Sequence, residues 1–143
     1  MFEGQKIMKK LAVLFLAVPL LYSCAKEAGS GGLAQITGHI DVQRRAVLSN
    51  ASTIIDTVDG RDMEVYLVYG DHLSPDEKVM TNYDGDFSFQ SLRPGEYTVY
   101  IYSQDTLGSA SPNPTKMVVK DVVKVAKRKE KLDMGTLMTY DTP

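Results

Sequence analysis

The chain of 143 residues contains a single cysteine, two histidines and no tryptophan. One thiol excludes an internal disulfide and any metal site built from several cysteines. The sequence also lacks a nucleophile elbow and a phosphate-binding loop. Asp84 and Asp86 lie close together, but they lack the ladder of oxygen ligands that a calcium-binding loop supplies. These absences predict a protein that is not an enzyme and that holds no metal or cofactor.

The two histidines each have an acidic neighbour in the sequence. His39 lies two residues before Asp41, and His72 follows Asp71 directly. Imidazole and carboxylate groups are common metal ligands, so these four side chains are a candidate metal site. No second histidine or cysteine stands at ligand spacing from either one, so we predict that both histidines are solvated surface residues.

Charge of neither sign dominates the chain, which has 16 basic and 18 acidic residues and a formal net charge of −2. This balance predicts that nucleic acid is not a partner. A composition that is 43% hydrophobic and 24% charged excludes extensive disorder and is sufficient for one domain with a hydrophobic core. The basic run at residues 126–131 is typical of a solvated hairpin tip, with an anion-binding patch as the alternative.

Long apolar runs are also scarce. Residues 11–21 are apolar but contain Pro19, and they are fewer than the roughly 20 residues that a bilayer-spanning helix requires. Lys9 and Lys10 precede this run, and small residues follow it. The pattern predicts a secretory signal peptide over residues 1–23, with translation starting at Met1 or Met8.

Residues 21–24, Leu-Tyr-Ser-Cys, resemble the lipobox of bacterial lipoproteins. The resemblance implies that Cys24 becomes the mature N-terminus and carries fatty-acyl chains such as palmitate, which anchor the protein to a membrane. A buried cysteine after an ordinary signal peptide is the alternative. Ala25 stands where an aspartate would favour the inner membrane, so the outer membrane of the cell envelope is favoured, on either its periplasmic or its surface side.

Residues 24–34 are small and polar and predict a flexible tether. Beyond them, apolar residues alternate with polar ones in short segments separated by turn residues, a pattern that predicts an all-β sandwich of about seven strands over residues 35–143. Residues 42–62 are left open between an extra strand, a short helical turn, or both. The seven predicted strands are QITGHIDV, DMEVYLVYG, KVMTN, DFSFQ, EYTVYIYS, TKMVVKDVVKV and KLDMGTLMTY.

Residues 84–103 alternate apolar and polar positions on both sides of Pro94 and Gly95. The Leu-x-Pro-Gly-x-Tyr spacing that ends at Tyr97 predicts a tyrosine corner, in which the hydroxyl bonds back to the backbone and fixes a crossover between sheets. We therefore interpret this stretch mainly as a folding device. The residues predicted to face the core are Phe87, Phe89, Tyr97, Val99 and Ile101.

The segments ITGHI, MEVYL, TNYDGDFSF and LRPGEYTVYI resemble the carboxypeptidase regulatory-like and Cna B-type domains. The resemblance covers residues 35–140 except the 42–62 insertion, and it implies a single Greek-key sandwich of the prealbumin-like, immunoglobulin-like kind. Many Bacteroidetes lipoproteins carry such a domain after the anchor, usually as a non-catalytic module. Some members form a Lys–Asn isopeptide bond. The Lys comes from the first strand and the Asn from the last; here the first predicted strand, QITGHIDV, has no Lys and the last, KLDMGTLMTY, has no Asn, so we expect no such bond.

Outward-facing tyrosines are the main functional candidates. If Tyr97 faces inward, Tyr100 and Tyr102 face outward, and Tyr66 joins them if its strand lies alongside. Such rings can stack on sugars or pack against a protein, or they can simply be cross-strand pairs on a solvated face. The sequence predicts a lipid-anchored envelope protein that acts as a structural or protein-interaction module. A carbohydrate-binding module that uses Tyr66, Tyr100 and Tyr102 is the alternative.

Overall fold

A computed structural model describes residues 27–48, 51–104 and 116–141. The predicted signal peptide, Cys24 and most of the loop before residue 116 lie outside the described residues. Every element in the described ranges is a strand, and none of these ranges contains a helix that could span a membrane. The strands are β1 (Ser30–Leu48), β2 (Ala51–Asp59), β3 (Glu64–Tyr69), β4 (Glu77–Met80), β5 (Asp86–Leu92), β6 (Gly95–Gln104), β7 (Lys116–Val125) and β8 (Lys131–Asp141).

The strands form two sheets, and the prediction of an all-β sandwich is confirmed. One sheet has the order β4-β3-β6-β7 and is antiparallel throughout. In the other sheet, β1 pairs antiparallel with β5 along its first part and with β2 along its last part, while β8 runs parallel to it. Because β8 overlaps both pairings in register, β5 and β2 share one edge of β1 and β8 occupies the other.

The core lies between the inner faces of the two sheets and follows the predicted alternation. In β6 the inward positions Tyr97, Val99 and Ile101 are buried, as predicted, and Phe87 and Phe89 of β5 face them across the sandwich core. Each such side chain contributes about 1.5–3 kcal/mol of burial free energy. The period of two therefore determines which face of each strand is covered.

β1 begins at Ser30, so the last five residues of the predicted tether belong to the strand. Ala34 is fully buried, and the backbone at Gly29 accepts a hydrogen bond from the Arg93 amide at 2.8 Å. A Cβ on Gly32 would lie 1.8 Å from the carbonyl oxygen of Leu92. The small residues in this segment allow two backbones to come close together. From composition alone, such a segment cannot be told apart from a flexible one.

Residues 42–62, left open by the sequence, contain the second half of β1 and all of β2. These two strands form an antiparallel hairpin with a bulge between Arg44 and Arg45. Arg44 forms an ion pair with Asp56 across the hairpin. Side chains on both faces of β2 are exposed, including Ile54 and Ile55, so this part of the hairpin extends beyond the cover of the other sheet. The extra strand raises the number in the described chain from the predicted seven to eight.

The predicted tyrosine corner is present. The Tyr97 hydroxyl donates to the carbonyl oxygen of Arg93 at 2.6 Å and accepts a hydrogen bond from the Gly29 amide at 3.0 Å. Burial raises the pKa of this phenol above its ordinary value. The side chain connects β6, the turn before it and the start of β1, and it thereby fixes the crossover from one sheet to the other.

Candidate functional site: the tyrosine face

The structure brings the three candidate tyrosines together on the outer surface of the β4-β3-β6-β7 sheet. Tyr66 of β3 is the register partner of Tyr100 on β6, and Tyr102 lies two residues further along β6. Directly paired residues in an antiparallel sheet share a face. We call these three residues the tyrosine face. The sequence predicted their outward direction, whereas the adjacency of β3 and β6 is visible only in the fold.

The three rings form a compact cluster. Tyr66 and Tyr100 stack with centroids 5.0 Å apart and an interplanar angle of 11°. Tyr102 is nearly perpendicular to both, at 5.6 Å from Tyr66 and 5.7 Å from Tyr100. Each aromatic pair of this kind contributes about 0.5–1.5 kcal/mol to stability beyond the effect of area burial. The rings therefore stabilise the sheet as well as forming part of its outer surface. Tyr102, which is 46% exposed, is the most accessible of the three.

Charged side chains orient the Tyr66 hydroxyl. It donates to Glu64, which also accepts a hydrogen bond from the Lys78 ammonium at 2.6 Å. The hydrogen bond to Glu64 raises the pKa of Tyr66 to about 12. Lys78 and then Tyr66 lower the pKa of the Glu64 carboxyl. At neutral pH the phenol is therefore a fixed donor, and the carboxylate beside it is ionised.

A surface groove of about 470 Å³ adjoins the tyrosine face. A second groove, of about 440 Å³, shares Met63, Tyr102 and Lys116 with the first, so the two hollows meet at Tyr102. The first groove combines apolar ring surface with hydrogen-bonding groups of both charges. Its lining residues are Asp62, Met63, Glu64, Tyr66, Ile101, Tyr102 and Lys116.

Sequence reasoning did not assign the polar members of this groove. Glu64 shares the outward face of β3 with Tyr66 through the period of two, and that alternation was the available signal for it. Asp62 precedes the strand, and Lys116 begins β7 after a long intervening segment. Because these two come from separate parts of the chain, only the sheet order places them beside Tyr102.

His39 was predicted to be a solvated surface residue; its side chain is 30% exposed, but acidic side chains flank both of its ring nitrogens. Its Nδ1 lies 2.8 Å from Asp86, and its Nε2 lies 3.2 Å from Asp41 and 3.7 Å from Asp59. The hydrogen bond to Asp86 raises the pKa of His39, and Asp41 adds to the effect against the opposing cost of burial. The cluster forms where β5 begins and β2 ends against the middle of β1. The ring joins these three strands.

The His39 group is also the place where the described residues come nearest to a metal site. Ligand atoms of His39, Asp41 and Asp59 lie within 4.8 Å of one another. His72 does not belong to this group, because its Nδ1 is 2.8 Å from Asp76 in the loop between β3 and β4. Both nitrogens of His39 already have carboxylate partners, so the ion pairs alone account for the arrangement.

No protein-family model matches the chain, and no curated protein matches it either. Among solved structures, the chain is similar to a Pseudomonas aeruginosa protein described as a "putative carbohydrate binding protein". The two chains share 13% sequence identity with a TM-score of 0.46, over 82% of this chain and 92% of that one. A similarity at this level says nothing about function. The function is therefore inferred from the geometry of the tyrosine face.

Proposed function

We propose that the protein is a non-catalytic carbohydrate-binding module that is anchored to the cell envelope by lipid on Cys24. The observation that carries the proposal is the placement of Tyr102 at the junction of two grooves, with Asp62, Glu64 and Lys116 beside it. A sugar ring presents an apolar face that packs on an aromatic ring, and its hydroxyl groups require nearby donors and acceptors. The groove next to Tyr102 contains both.

This geometry favours the carbohydrate-binding module, which the sequence offered as the alternative to a structural or protein-interaction module. A structural module would need the tyrosines only as cross-strand pairs, and the stacking of Tyr66 on Tyr100 meets that need. It would not need an accessible third ring beside a groove with ionised side chains. Tyr66 and Tyr100 cover one face of each other, so Tyr102 is the ring that a sugar would contact first.

A protein partner is the second candidate, and the apolar surface next to the tyrosine face favours it. Val118 and Val122 of β7 are 48% and 53% exposed on this side of the sheet. Aromatic and aliphatic groups together are typical of protein interfaces. Cross-linking in intact cells, followed by mass spectrometry, tests this candidate: it predicts one recurrent protein joined to this face.

Replacing Tyr100 and Tyr102 together by alanine will abolish retention on polysaccharides that retain the wild type. The loss of two rings will reduce affinity by at least about tenfold, because each ring supplies both apolar area and a polar tip. Affinity electrophoresis on a panel of neutral and acidic polysaccharides measures the change. The melting temperature will fall by several degrees because the ring pairs are lost, but the fold will persist because both side chains lie outside the core.

Tyr83→Ala is the matched control, because Tyr83 is 73% exposed and lies outside the tyrosine face. It should leave retention unchanged. Equal retention of the double variant and the wild type would contradict the proposal, and so would a failure of the wild type to bind any member of the panel.

The anchor is proposed from the lipobox resemblance and has its own test. Cys24→Ala protein will leave the membrane fraction and will no longer incorporate labelled palmitate, because Cys24 is the single cysteine of the chain and the lipobox resemblance places the acyl chains on it. More than one acyl chain makes such an anchor lasting, at about 0.8 kcal/mol per buried methylene. The wild type should sediment with outer membranes on a density gradient. Continued labelling and membrane association of the variant would contradict the anchor.

A further inference from the structure

We propose that the bound carbohydrate is an acidic polysaccharide, and that a row of lysines on β7 binds its anionic groups. The inference rests on the proposed function and names its ligand class. We call Lys116, Lys120 and Lys124 the lysine row. They alternate with Val118 and Val122 along the strand, so all five residues share the outer face.

The register of β6 with β7 places the lysine row beside the tyrosine face. Lys120 is the direct partner of Tyr100, and Val118 is the direct partner of Tyr102. Successive lysines are four residues apart, which corresponds to about 13 Å along a strand. The result is an evenly spaced line of cations that runs next to the aromatic cluster.

The charge of this surface differs in sign from that of the whole chain. The chain has a net charge of −2, yet the outer face of this sheet carries the lysine row and Lys78 against two glutamates, Glu64 and Glu96. Lys78 is already bound to Glu64 at 2.6 Å. Glu96 is opposite Lys124 in the register. The described residues show no ion pair for Lys120, so its charge is available next to Tyr100.

This complementarity favours an acidic polysaccharide over a neutral one. One exposed lysine attracts one anion weakly, because water and salt screen the interaction. Repeated carboxylates on a single chain can contact several lysines at once, and every contact after the first is intramolecular. Val118 and Val122 lie between the cations and offer apolar surface to the intervening sugar rings.

β7 is an edge strand of its sheet. Lysines on edge strands also prevent the sheet from pairing with a strand of another chain. This role and the proposed one differ in what a loss of charge would do. If the lysines only protect the edge, their replacement would cause self-association and leave ligand preference unchanged. If they bind anions, replacement would remove the preference for acidic chains.

The test compares polygalacturonate with highly methyl-esterified pectin, because esterification removes the carboxylate charge and keeps the sugar backbone. The purified full-length chain in mild detergent should bind polygalacturonate at least tenfold more tightly, and the difference should shrink as salt rises. The variant with Lys116→Gln, Lys120→Gln and Lys124→Gln should bind both polymers equally. A control with the same charge change, Lys127→Gln, Lys129→Gln and Lys131→Gln, should behave as the wild type.

The outcomes separate this inference from the proposed function. Equal binding of the two polymers by the wild type would overturn the acidic ligand and leave carbohydrate binding standing. Failure of the wild type to bind any polysaccharide would overturn both. An unchanged preference in the lysine-row variant, with or without self-association in size-exclusion chromatography, would overturn the role of the lysines.

Discussion

Replacing Tyr97 by alanine will lower the free energy of unfolding by about 3–5 kcal/mol, which is the usual cost of removing a buried aromatic ring. The Tyr97 ring is fully buried and packs edge-on against Tyr69 with centroids 5.6 Å apart. Its loss leaves a cavity at the point where β6, the turn before it and the start of β1 meet. It also leaves the Gly29 amide without its hydrogen-bond acceptor. Urea denaturation followed by circular dichroism measures the effect.

Tyr97→Phe separates the hydroxyl from the ring. This variant keeps the packing but leaves the Gly29 amide and the Arg93 carbonyl without the hydroxyl, so we expect a loss of about 1–3 kcal/mol. Tyr100→Phe on the same strand is the control and should change stability little, because the Tyr100 hydroxyl interacts with Tyr102 on the outer face and, within the described residues, with no buried backbone group. If Tyr97→Phe and Tyr100→Phe cost the same, the corner does not have the structural role described.

Gly38→Ala will lower the free energy of unfolding by about 1–3 kcal/mol, because it adds a methyl group to a filled part of the core. Gly38 lies on the inward face of β1 between two buried isoleucines, Ile36 and Ile40. A Cβ at this position would lie 2.5 Å from Phe87 Cζ and 2.8 Å from Met134 Cγ. Both contacts are too short, so the side chains of Phe87 and Met134 must shift within a filled core. Urea denaturation measures this change as well.

A second substitution tests whether crowding causes the loss. Phe87→Leu shortens the side chain that meets the new methyl group, so the double variant should lose less stability than the sum of the two single variants. Thr37→Ala on the outer side of β1 is the control and should cost less, because it removes only a long hydrogen bond of 3.4 Å to the Leu132 carbonyl. Additive losses in the double variant would show that the new methyl group does not contact Phe87.

Stability and the proposed carbohydrate binding depend on the same register of β6. Tyr97 faces the core and Tyr100 faces outward because they are three residues apart on a strand with a period of two. A slip of one residue would exchange the two faces, burying the outward rings and exposing the corner. The hydrogen bonds of Tyr97 to Gly29 and Arg93 oppose that slip. The folding device thus holds the tyrosine face in its outward direction.

Much of the candidate site could be predicted from local pattern. The outward direction of Tyr66, Tyr100 and Tyr102 follows from alternation, because backbone geometry alone turns successive side chains to opposite faces. The grooves could not be predicted, because Asp62 and Lys116 reach Tyr102 only through the order β4-β3-β6-β7. The His39 cluster was also missed, since its three carboxylates come from β1, β2 and β5.

The sequence by itself determined an all-β chain, the inward and outward sides of its strands and the hydrogen-bonded tyrosine near the start of β6. These features depend on neighbours within a few residues, where steric rules act strongly. Only the tertiary structure decided that Gly32 belongs to a strand in close contact with Leu92, and that the lysine row lies beside the tyrosine face. Such contacts join residues distant in the chain, and their free energy is set by which strands become neighbours.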